Sequence, residues 1–583
     1  MPAPEIQLPL PQSQSESTSE PGSGHQTEAE VLIVGAGFAG IYLLHKLRSN
    51  GFKCLVLEAG NNLGGTWNNN RYPGSRVDTD MPLYQLSIPE VWSTWTWTEK
   101  FPCRDELAQY FQHVDKVLNI RKDVLFDSKV VSARYLSDKS LWNVTTQSGA
   151  RFASRFLLLA TGFASKPYAP TWPGSGEFQG IICHSACWPS SGIELTGKRV
   201  AIIGTGATGV QMAQEVSRQA SHLYVLQRTP NLCLPMRQRK LDYVEQAAAR
   251  ADLPRLFKHR LTTLSGYADS PLPRSIFSDG SKERRAYLES LWDEGGFKFW
   301  TANYHDVLVD AEANRIAYDF WAEKTRVRIS DPEKRDLLAP VDPPHAWGCK
   351  RPCLETDYYE QLSKPHVSLV DVNKRPIVGF TRNGIQLADG AVCEVDVVIL
   401  ATGFDALTGS MLDMGLTATD GTQLPQKWSG GVGTYLGTTL AGYPNLFYVF
   451  AVHGPTASNG PSCIELQSDW IVDVMVKMRD DDIESVEPTA QAEAEWTELV
   501  HAVYQNTLVR DTRSWYDGSN VLNKRTEPLI FCGGFPMYRD LCYKALQDNW
   551  KGFDVCYIQK ELICIDDLSR NAHTTQNVWY RHI

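Results

Sequence analysis

The sequence predicts an α/β fold built on two Rossmann-like dinucleotide-binding domains, with a helical subdomain in addition. Two observations support this prediction. Two apolar, strand-like runs each lead directly into a G-x-G-x-x-G turn and then into a helical pattern. Two further apolar runs, Phe156–Leu159 and Val397–Leu400, are each followed by Ala-Thr-Gly. Strands that alternate with helices in this way are typical of parallel sheets covered by helices.

The first glycine turn follows the run Val31–Val34 and contains Gly35, Gly37 and Gly40. Glycine is needed there because the turn is tight, the backbone approaches a pyrophosphate, and the helix packs closely on the strand. The next strand ends at Glu58, at a spacing suited to binding a ribose 2′-hydroxyl. This segment therefore predicts a first dinucleotide site.

The second glycine turn follows Arg199–Ile203 and contains Gly204, Gly206 and Gly209. At the position that corresponds to Glu58 the acid is missing, and Arg228 stands beside that place. An arginine forms charge-assisted hydrogen bonds to a 2′-phosphate, whereas a carboxylate would repel it. The second site is therefore predicted to prefer NADPH to NADH.

These features predict a discontinuous arrangement of domains. Residues 1–28 are polar and rich in Pro, Ser and Gly, which predicts a disordered tail. We expect a FAD-binding domain over 29–165 and 400–583. An NADPH-binding domain is expected over 166–399, and it contains a helical subdomain at 240–345.

Composition excludes several classes of partner. The net charge of -10 and the pI of 5.8 argue against nucleic acid and anionic membrane surfaces. No apolar run is long enough for a membrane span, and no signal peptide is recognisable. The 13 cysteines form no C-x-x-C pair, which indicates reduced thiols and a cytoplasmic location. No metal site is predicted, and the oligomeric state stays open.

Two dinucleotide folds in one chain indicate hydride transfer from nicotinamide to flavin. A disulfide reductase would need a redox-active cysteine pair beside the flavin. The pairs Cys183/Cys187 and Cys349/Cys353 are more simply interpreted as unrelated buried thiols. Molecular oxygen is then the expected acceptor of the flavin electrons.

A segment between the two glycine turns carries a family resemblance. Residues 178–189 read FQGIICHSACWP and resemble the F-x-G-x-x-x-H-[ST]-x-x-W-P fingerprint of type I Baeyer–Villiger monooxygenases. In that family the segment links domains, so His184 is expected to be structural and gating, and not an acid or base.

Other segments extend the resemblance over most of the chain. Gly64–Trp67 and Arg71–Asp78 resemble the flavin-contacting loop and its active-site aspartate, and Lys350-Arg351 resembles the family's Lys-Arg pair. Ser514–Asn520 resembles the mobile loop, and Gly533–Tyr538 resembles the last strand of the FAD domain. Pro352, Cys353 and the run His453–Pro455 depart from the commonest family choices and leave the shape of the pocket open.

The resemblance implies an enzyme that uses FAD, NADPH and O2 to convert a hydrophobic ketone, cyclic or bulky, into a lactone or ester through a flavin C4a-peroxide. Arg351 is the implied catalytic cation and Asp78 its orienting partner. Lys350, with Arg228, would bind the 2′-phosphate, and Trp515 belongs to a loop that would fold over NADP(H). The full set of expected cofactor-binding residues is Gly35, Gly37, Gly40, Glu58, Gly65, Thr66, Trp67, Asp78, Gly204, Gly206, Thr208, Gly209, Gln211, Arg228, Thr229, Lys350 and Trp515.

Two alternatives stay open at this stage. One is a flavin monooxygenase that oxygenates sulfur or nitrogen, which would not need Arg351. The other is a flavin-binding protein without turnover that acts as a redox sensor. Neither the ketone nor the regiochemistry of insertion can be deduced from the sequence.

Overall fold

The computed structural model describes residues 26–558. The predicted tail, apart from Gln26–Glu28, and the end of the chain from residue 559 lie outside the described residues. The strands are β1 Thr27–Val34, β2 Cys54–Leu57, β3 Val124–Leu125, β4 Val130–Leu136, β5 Leu141–Thr146, β6 Arg151–Leu159, β7 Ile181–His184, β8 Arg199–Ile203, β9 His222–Gln227, β10 Leu234–Pro235, β11 Leu354–Glu355, β12 Val367–Asp371, β13 Ile377–Thr381, β14 Gly384–Leu387, β15 Val392–Glu394, β16 Val397–Leu400, β17 Leu416–Thr417, β18 Leu446–Tyr448, β19 Ile483–Pro488 and β20 Phe553–Tyr557.

The helices connect and cover these strands. They are α1 Phe38–Ser49, α2 Thr66–Asn69, α3 Pro89–Trp92, α4 Arg104–Leu118, α5 Ala207–Val216, α6 Tyr243–Ala249, α7 Leu253–Arg260, α8 Ser281–Glu294, α9 Lys298–Thr301, α10 Ala311–Arg326, α11 Pro332–Leu338, α12 Tyr358–Leu362, α13 Gly409–Leu412, α14 Leu424–Lys427, α15 Gly460–Asp480, α16 Ala490–Gln505 and α17 Gly534–Gln547.

The first sheet contains the first glycine turn. Its strands lie in the order β17-β4-β5-β6-β1-β2-β3, and β18 also pairs with β6. Strands β6, β1, β2 and β3 run parallel, whereas β4, β5 and β6 form an antiparallel meander. Helix α1 packs against α15, where the Tyr42 hydroxyl donates to the Asp469 carboxylate at 3.0 Å. The sheet is therefore the Rossmann-like unit that the sequence predicted.

The second sheet contains the second glycine turn. Its order is β12-β9-β8-β16-β7, and every pairing is parallel. Strands β8, β9 and β16 consist largely of buried aliphatic residues, as expected when helices cover both faces of a parallel sheet. The predicted fold class, α/β with two such sheets, is confirmed. The domain boundaries stay predictions.

Helices α6 to α11 form the helical region expected at 240–345. These helices contact elements that pack beside the first sheet as well as elements beside the second. Arg260 of α7 forms a fully buried ion pair with Glu465 of α15 at 2.6 Å, and Trp321 of α10 donates from its indole nitrogen to the Cys233 carbonyl at 2.8 Å. The region therefore bridges the two halves of the molecule.

Three details of the structure differ from the sequence prediction. Strand β1 begins at Thr27, because Thr27 and Glu28 pair with β6, so the chain is ordered before the predicted end of the tail. Gly533–Tyr538 does not form a strand: helix α17 begins at Gly534 and buries Phe535, Tyr538 and Cys542 at helical spacing. The fingerprint segment is more than a linker, since Ile181–His184 is strand β7 at the edge of the second sheet.

Among the helices of residues 26–558, none combines the length and the apolar composition that crossing a bilayer requires. The same part of the chain contains no cluster of His, Cys, Asp or Glu arranged to bind a metal ion.

Candidate active site

A large cavity separates the two glycine turns. Its volume is about 2030 Å³, roughly twice the upper end of the 300–1,000 Å³ that is usual for a single ligand. Both turns contribute to its wall, as do the segments that carry Asp78 and Arg351. The cavity is therefore large enough for two extended ligands, and these two charged residues belong to its wall.

In the first glycine turn, close contacts with backbone atoms leave no room for side chains. Gly35 has a φ of +106°, and a Cβ there would lie 2.5 Å from the carbonyl oxygen of Ala160, which follows β6. A Cβ at Gly40 would lie 1.8 Å from the Gly35 carbonyl oxygen. Side chains at these positions would collide with backbone, so helix α1 can pack this closely only on glycine.

The second turn repeats this geometry. Gly204 has a φ of +109°, and its Cβ would lie 2.5 Å from the carbonyl oxygen of Ala401, which follows β16. A Cβ at Gly209 would lie 2.1 Å from the Gly204 carbonyl oxygen. The two Ala-Thr-Gly segments recognised in the sequence thus have the same structural role, since each supplies the carbonyl against which a glycine turn packs.

Both helices that follow the turns begin without a side-chain cap. Gly37 is the N-cap of α1 and Gly206 is the N-cap of α5, and neither can supply a capping oxygen. Both glycines line the cavity. The first backbone N–H groups of a helix need partners and carry a partial positive charge. These helix ends therefore fit the phosphates of two dinucleotides.

Glu58 lies at the end of β2, as the sequence predicted, and lines the cavity. Its carboxylate accepts the N–H of Ala36 at 2.6 Å and the N–H of Gly60 at 2.7 Å. Burial raises the pKa of Glu58, while these two hydrogen bonds act in the opposite direction. Glu58 therefore braces the first glycine turn in addition to facing the cavity.

The loop after β2 returns to the first turn. The N–H of Gly64 donates to the Ala36 carbonyl at 3.0 Å, and Gly65, Thr66 and Trp67 line the cavity where α2 begins. The Trp67 indole N–H donates to the Tyr84 hydroxyl at 3.2 Å. These bonds hold the predicted flavin-contacting loop against the glycine turn.

Helix α5 is tied directly to the loop that leads to Asp78. The Tyr72 hydroxyl donates to Oε1 of Gln211 at 3.0 Å and accepts from Oγ1 of Thr208 at 3.4 Å. Nε2 of Gln211 donates to the Arg76 carbonyl at 3.0 Å. Thr208 and Gln211 line the cavity as expected, and they also connect the two halves of the site.

Arg228, Thr229 and Lys350 line the cavity on the side of the second turn. Within residues 26–558, neither Arg228 nor Lys350 forms an ion pair. Burial, and secondarily the neighbouring charge of Arg228, lower the pKa of Lys350 to about 8. The charge of Asp517 acts on the pKa of Lys350 in the opposite direction and compensates part of this repulsion, and an anion bound beside the two cations would compensate more of it.

Arg351 forms a bidentate ion pair with Asp78. Nε and Nη2 of Arg351 each donate to one carboxylate oxygen at 2.8 Å. Nη2 also donates to the Tyr267 hydroxyl at 3.1 Å, and Nη1 donates to the Ser458 carbonyl at 3.2 Å. The side chain of Arg351 keeps 21% of its surface accessible, and Arg351 lines the cavity. The structure therefore presents a fixed positive charge to whatever binds there.

The sequence did not predict the aromatic surroundings of this guanidinium. Its central carbon lies 5.0 Å from the ring centroid of Phe297 and 5.8 Å from that of Trp300. Phe297, Trp300 and Tyr267 all belong to the helical region. The aromatic run FKFW is visible in the sequence, but nothing there indicates which part of the chain these rings contact.

His184 makes structural contacts, and the gating role that was also expected of it stays a prediction. The side chain is fully buried; its Nε2 lies 3.1 Å from the Gly403 carbonyl oxygen, and its Nδ1 accepts the N–H of Ala186 at 3.1 Å. These partners require the neutral form protonated at Nε2. Burial lowers the pKa of His184, which stabilises that form. His184 thereby fastens the end of β16 to the fingerprint segment.

Trp515 lines the cavity at the segment expected to form a mobile loop. Its ring lies 5.1 Å from that of Phe163 and 4.4 Å from that of Tyr516. Asn520, farther along the segment, donates to the Phe404 carbonyl at 2.8 Å. In this structure the segment therefore lies against the cavity wall.

Comparison with known proteins identifies the family. The sequence model for pyridine nucleotide-disulphide oxidoreductases matches residues 29–287. The chain is 46% identical to the FAD-binding monooxygenase acrE of Aspergillus aculeatus, over 91% of this chain and 89% of that protein. It is 39% identical to cyclopentanone 1,2-monooxygenase of Comamonas sp., over 90% of this chain and 96% of that protein. The chain belongs to the type I Baeyer–Villiger monooxygenase family.

A solved structure extends this relationship to the cofactors. The crystal structure of OTEMO in complex with FAD and NADP has a TM-score of 0.86 and 35% identity, and the match covers 91% of this chain and 100% of that one. The protein is a flavin-dependent Baeyer–Villiger monooxygenase whose cofactors are FAD and NADP. The predicted family, enzyme class and cofactors are confirmed.

Replacing Gly206 by valine tests whether the second turn binds NADP⁺, because the substitution should not affect folding. A Cβ at Gly206 would meet no heavy atom within 4 Å, and the backbone there is extended, so valine causes no strain. Its methyl groups would project into the cavity at the uncapped end of α5. We expect an unchanged melting temperature and FAD content, and NADP⁺ affinity at least about tenfold lower by fluorescence titration.

The control is Gly176→Val, because Gly176 also has open space around it but lies outside the cavity. Unchanged NADP⁺ affinity in Gly206→Val would mean that the second turn does not contact the cofactor.

Proposed function

We propose that the protein converts a hydrophobic cyclic ketone, with O2 and NADPH, into a lactone. Two features support a cyclic substrate. One relative is named for its action on cyclopentanone. The cavity wall also includes the apolar side chains of Phe163, Phe450, Pro461 and Ile464, which suit a hydrophobic ring.

The two cofactors are assigned to the two turns on the basis of charge and space. FAD would bind at the first turn, with its pyrophosphate at the start of α1 and a ribose near Glu58. NADPH would bind at the second turn, with its 2′-phosphate between Arg228 and Lys350. The absence of an ion pair at either cation within the described residues supports this assignment, because a phosphate would add to the partial compensation that Asp517 gives Lys350.

The single observation that carries the proposed chemistry is the charge of Arg351 in the cavity. Bound FAD, once reduced by NADPH, supplies the activation of O2. When an oxygen nucleophile attacks a ketone carbonyl, negative charge develops on the carbonyl oxygen. A cation that is already fixed in place stabilises this charge without reorganisation, and such stabilisation is often the largest contribution to catalysis.

Arg351 remains charged throughout. Burial acts to lower its pKa, but Asp78 more than compensates, and the pKa of Arg351 lies well above its ordinary value. Arg351 therefore acts as an electrostatic partner and hydrogen-bond donor, and not as a proton donor. Asp78 holds the guanidinium plane by two parallel bonds. Trp515 and Phe163 would cover the cavity and exclude water.

The alternative of sulfur or nitrogen oxygenation requires an electrophilic oxygen, for which a fixed cation has no evident use. Arg351 beside the cavity therefore favours the ketone. A redox sensor without turnover would not need the pair Arg351–Asp78 at all.

Arg351→Ala tests the proposal. The variant loses the charge that stabilises the carbonyl oxygen, so lactone formation from cyclic ketones should fall by about 10²- to 10³-fold. The measurement is lactone formed per enzyme in a single turnover, by gas chromatography, on enzyme of equal FAD content. Arg315→Ala is the control, because Arg315 forms only exposed ion pairs.

Equal lactone formation in Arg351→Ala and wild type would refute the role of Arg351. Turnover of thioethers or amines without turnover of any ketone would replace the proposed reaction by the alternative one.

Lys350 predicts a pH dependence of NADPH binding. Lys350 is charged below its pKa of about 8 and neutral above it. The 2′-phosphate keeps its charge from pH 7 to 9. Affinity for NADPH should therefore decrease as pH rises through and beyond 8, by up to about tenfold.

The affinity for NADPH is measured from pH 7 to 10. The range extends well above pH 8 because a bound phosphate shifts the deprotonation of Lys350 to higher pH. NADH, which lacks the phosphate, and the variant Lys350→Met should show no such decrease. A decrease of the same size in Lys350→Met would show that another titrating group causes the pH dependence.

A further inference from the structure

The guanidinium of Arg351 lies beside three aromatic residues of the helical region, which we call the aromatic box: Tyr267, Phe297 and Trp300. It lies near the rings of Phe297 and Trp300 and donates to the hydroxyl of Tyr267. The rings contact each other edge to face, with centroid distances of 5.8 Å for Tyr267–Phe297, 6.3 Å for Tyr267–Trp300 and 5.2 Å for Phe297–Trp300. Arg351 lines the cavity, whereas the rings of the box do not. The box therefore supports Arg351 from behind.

The box also determines the path of the backbone that carries Arg351. The Trp300 indole N–H donates to the Gly348 carbonyl at 3.0 Å. Gly348 has a φ of +75°, and a Cβ there would lie 3.0 Å from Cδ1 of Trp300. The loop from Gly348 to Arg351 thus lies directly on the indole ring.

Tyr267 is itself fixed by the start of helix α15. The carbonyl of the preceding residue, Gly266, accepts hydrogen bonds from Nδ2 of Asn459 at 3.2 Å and from Oγ of Ser462 at 2.7 Å. The adjacent Ser458 carbonyl accepts from Nη1 of Arg351. One short segment therefore holds both Tyr267 and the guanidinium that Tyr267 contacts.

The hydrogen bonds of Arg351 leave one donor available. A guanidinium has five N–H groups. Asp78 accepts two of them, Tyr267 accepts one and Ser458 accepts one. Within residues 26–558 no group accepts the second N–H of Nη1. Arg351 lines the cavity and part of its side chain is accessible, so this N–H is the donor left for a bound substrate.

We propose that Tyr267 is a positioning residue for oxygenation: its hydroxyl holds Nη2 of Arg351 so that the remaining N–H of Nη1 is directed at the oxygen of the bound ketone. This inference rests on the proposed role of Arg351. Burial raises the pKa of Tyr267 to about 12, so the hydroxyl is neutral at the pH of any assay. Without that acceptor, the Nη2 proton lacks a partner, and the orientation of Nη1 depends on Asp78 and Ser458 alone.

Tyr267→Phe tests the inference, because it removes the hydroxyl and keeps the ring of the box. The loss of one hydrogen bond to a charged group should lower lactone formation in a single turnover by about tenfold. The KM for the ketone should change less than twofold, and NADPH oxidised without lactone formation should increase. The control is Tyr287→Phe, which removes a hydroxyl that donates to the Ala302 carbonyl in the same helical region.

Arg351→Ala, measured in the same assay, distinguishes the inference from the proposed function. If Arg351→Ala loses lactone formation and Tyr267→Phe equals wild type, Tyr267 has no positioning role and the proposed function stands. If Arg351→Ala retains lactone formation, both fail. A decrease in Tyr267→Phe that only parallels a lower melting temperature or FAD content, or that Tyr287→Phe shares, would assign Tyr267 a structural role and overturn the inference.

Discussion

Holding a positive charge at the wall of a cavity costs desolvation free energy. Several groups around Arg351 offset that free energy. A partly desolvated guanidinium without partners would be destabilising by several kcal/mol. Asp78, 273 residues earlier in the chain, supplies the opposite charge with two parallel hydrogen bonds. Ser458 and Tyr267 accept two further N–H groups. The charge is therefore stabilised at this place only when three other parts of the chain have come together around Arg351.

The two glycine turns depend on a different constraint, which is contact between backbones. Gly35 and Gly204 each pack on an alanine carbonyl that a neighbouring strand delivers, and neither position has room for a side chain. The bond from Tyr72 to Gln211 then joins the loop of the first half to the helix of the second. The separation of the two uncapped helix ends follows from these contacts.

Much of the fold and of the candidate site could be predicted from the sequence, because the strongest signals in the sequence are local. The glycine turns, the strands before them and the acid at Glu58 lie within short segments whose spacing has a direct physical meaning. Glu58 also accepts the N–H of Ala36, which no spacing indicates. The pair Arg351–Asp78 was expected from resemblance, and the structure places the two residues in contact.

The remaining features of the fold and the site depend on tertiary contacts, which produce no periodic pattern in the sequence. Tyr267, Phe297 and Trp300 belong to a helical region whose sequence shows only that it is helical and aromatic. The segment at Gly533 resembled a strand, although its buried residues recur at helical spacing. Strand β1 begins earlier than predicted because pairing with β6 orders polar residues that have no tendency to fold alone.

A crystal structure of the protein with FAD and NADP⁺ bound would show directly whether Arg351 lies beside the cofactors. We expect density for the FAD pyrophosphate at the start of α1, for the NADP⁺ pyrophosphate at the start of α5, and for the Arg351 guanidinium within hydrogen-bond distance of a cofactor while still paired with Asp78. An Arg351 side chain directed away from both cofactors would contradict the central claim that this charge acts on the reacting ketone.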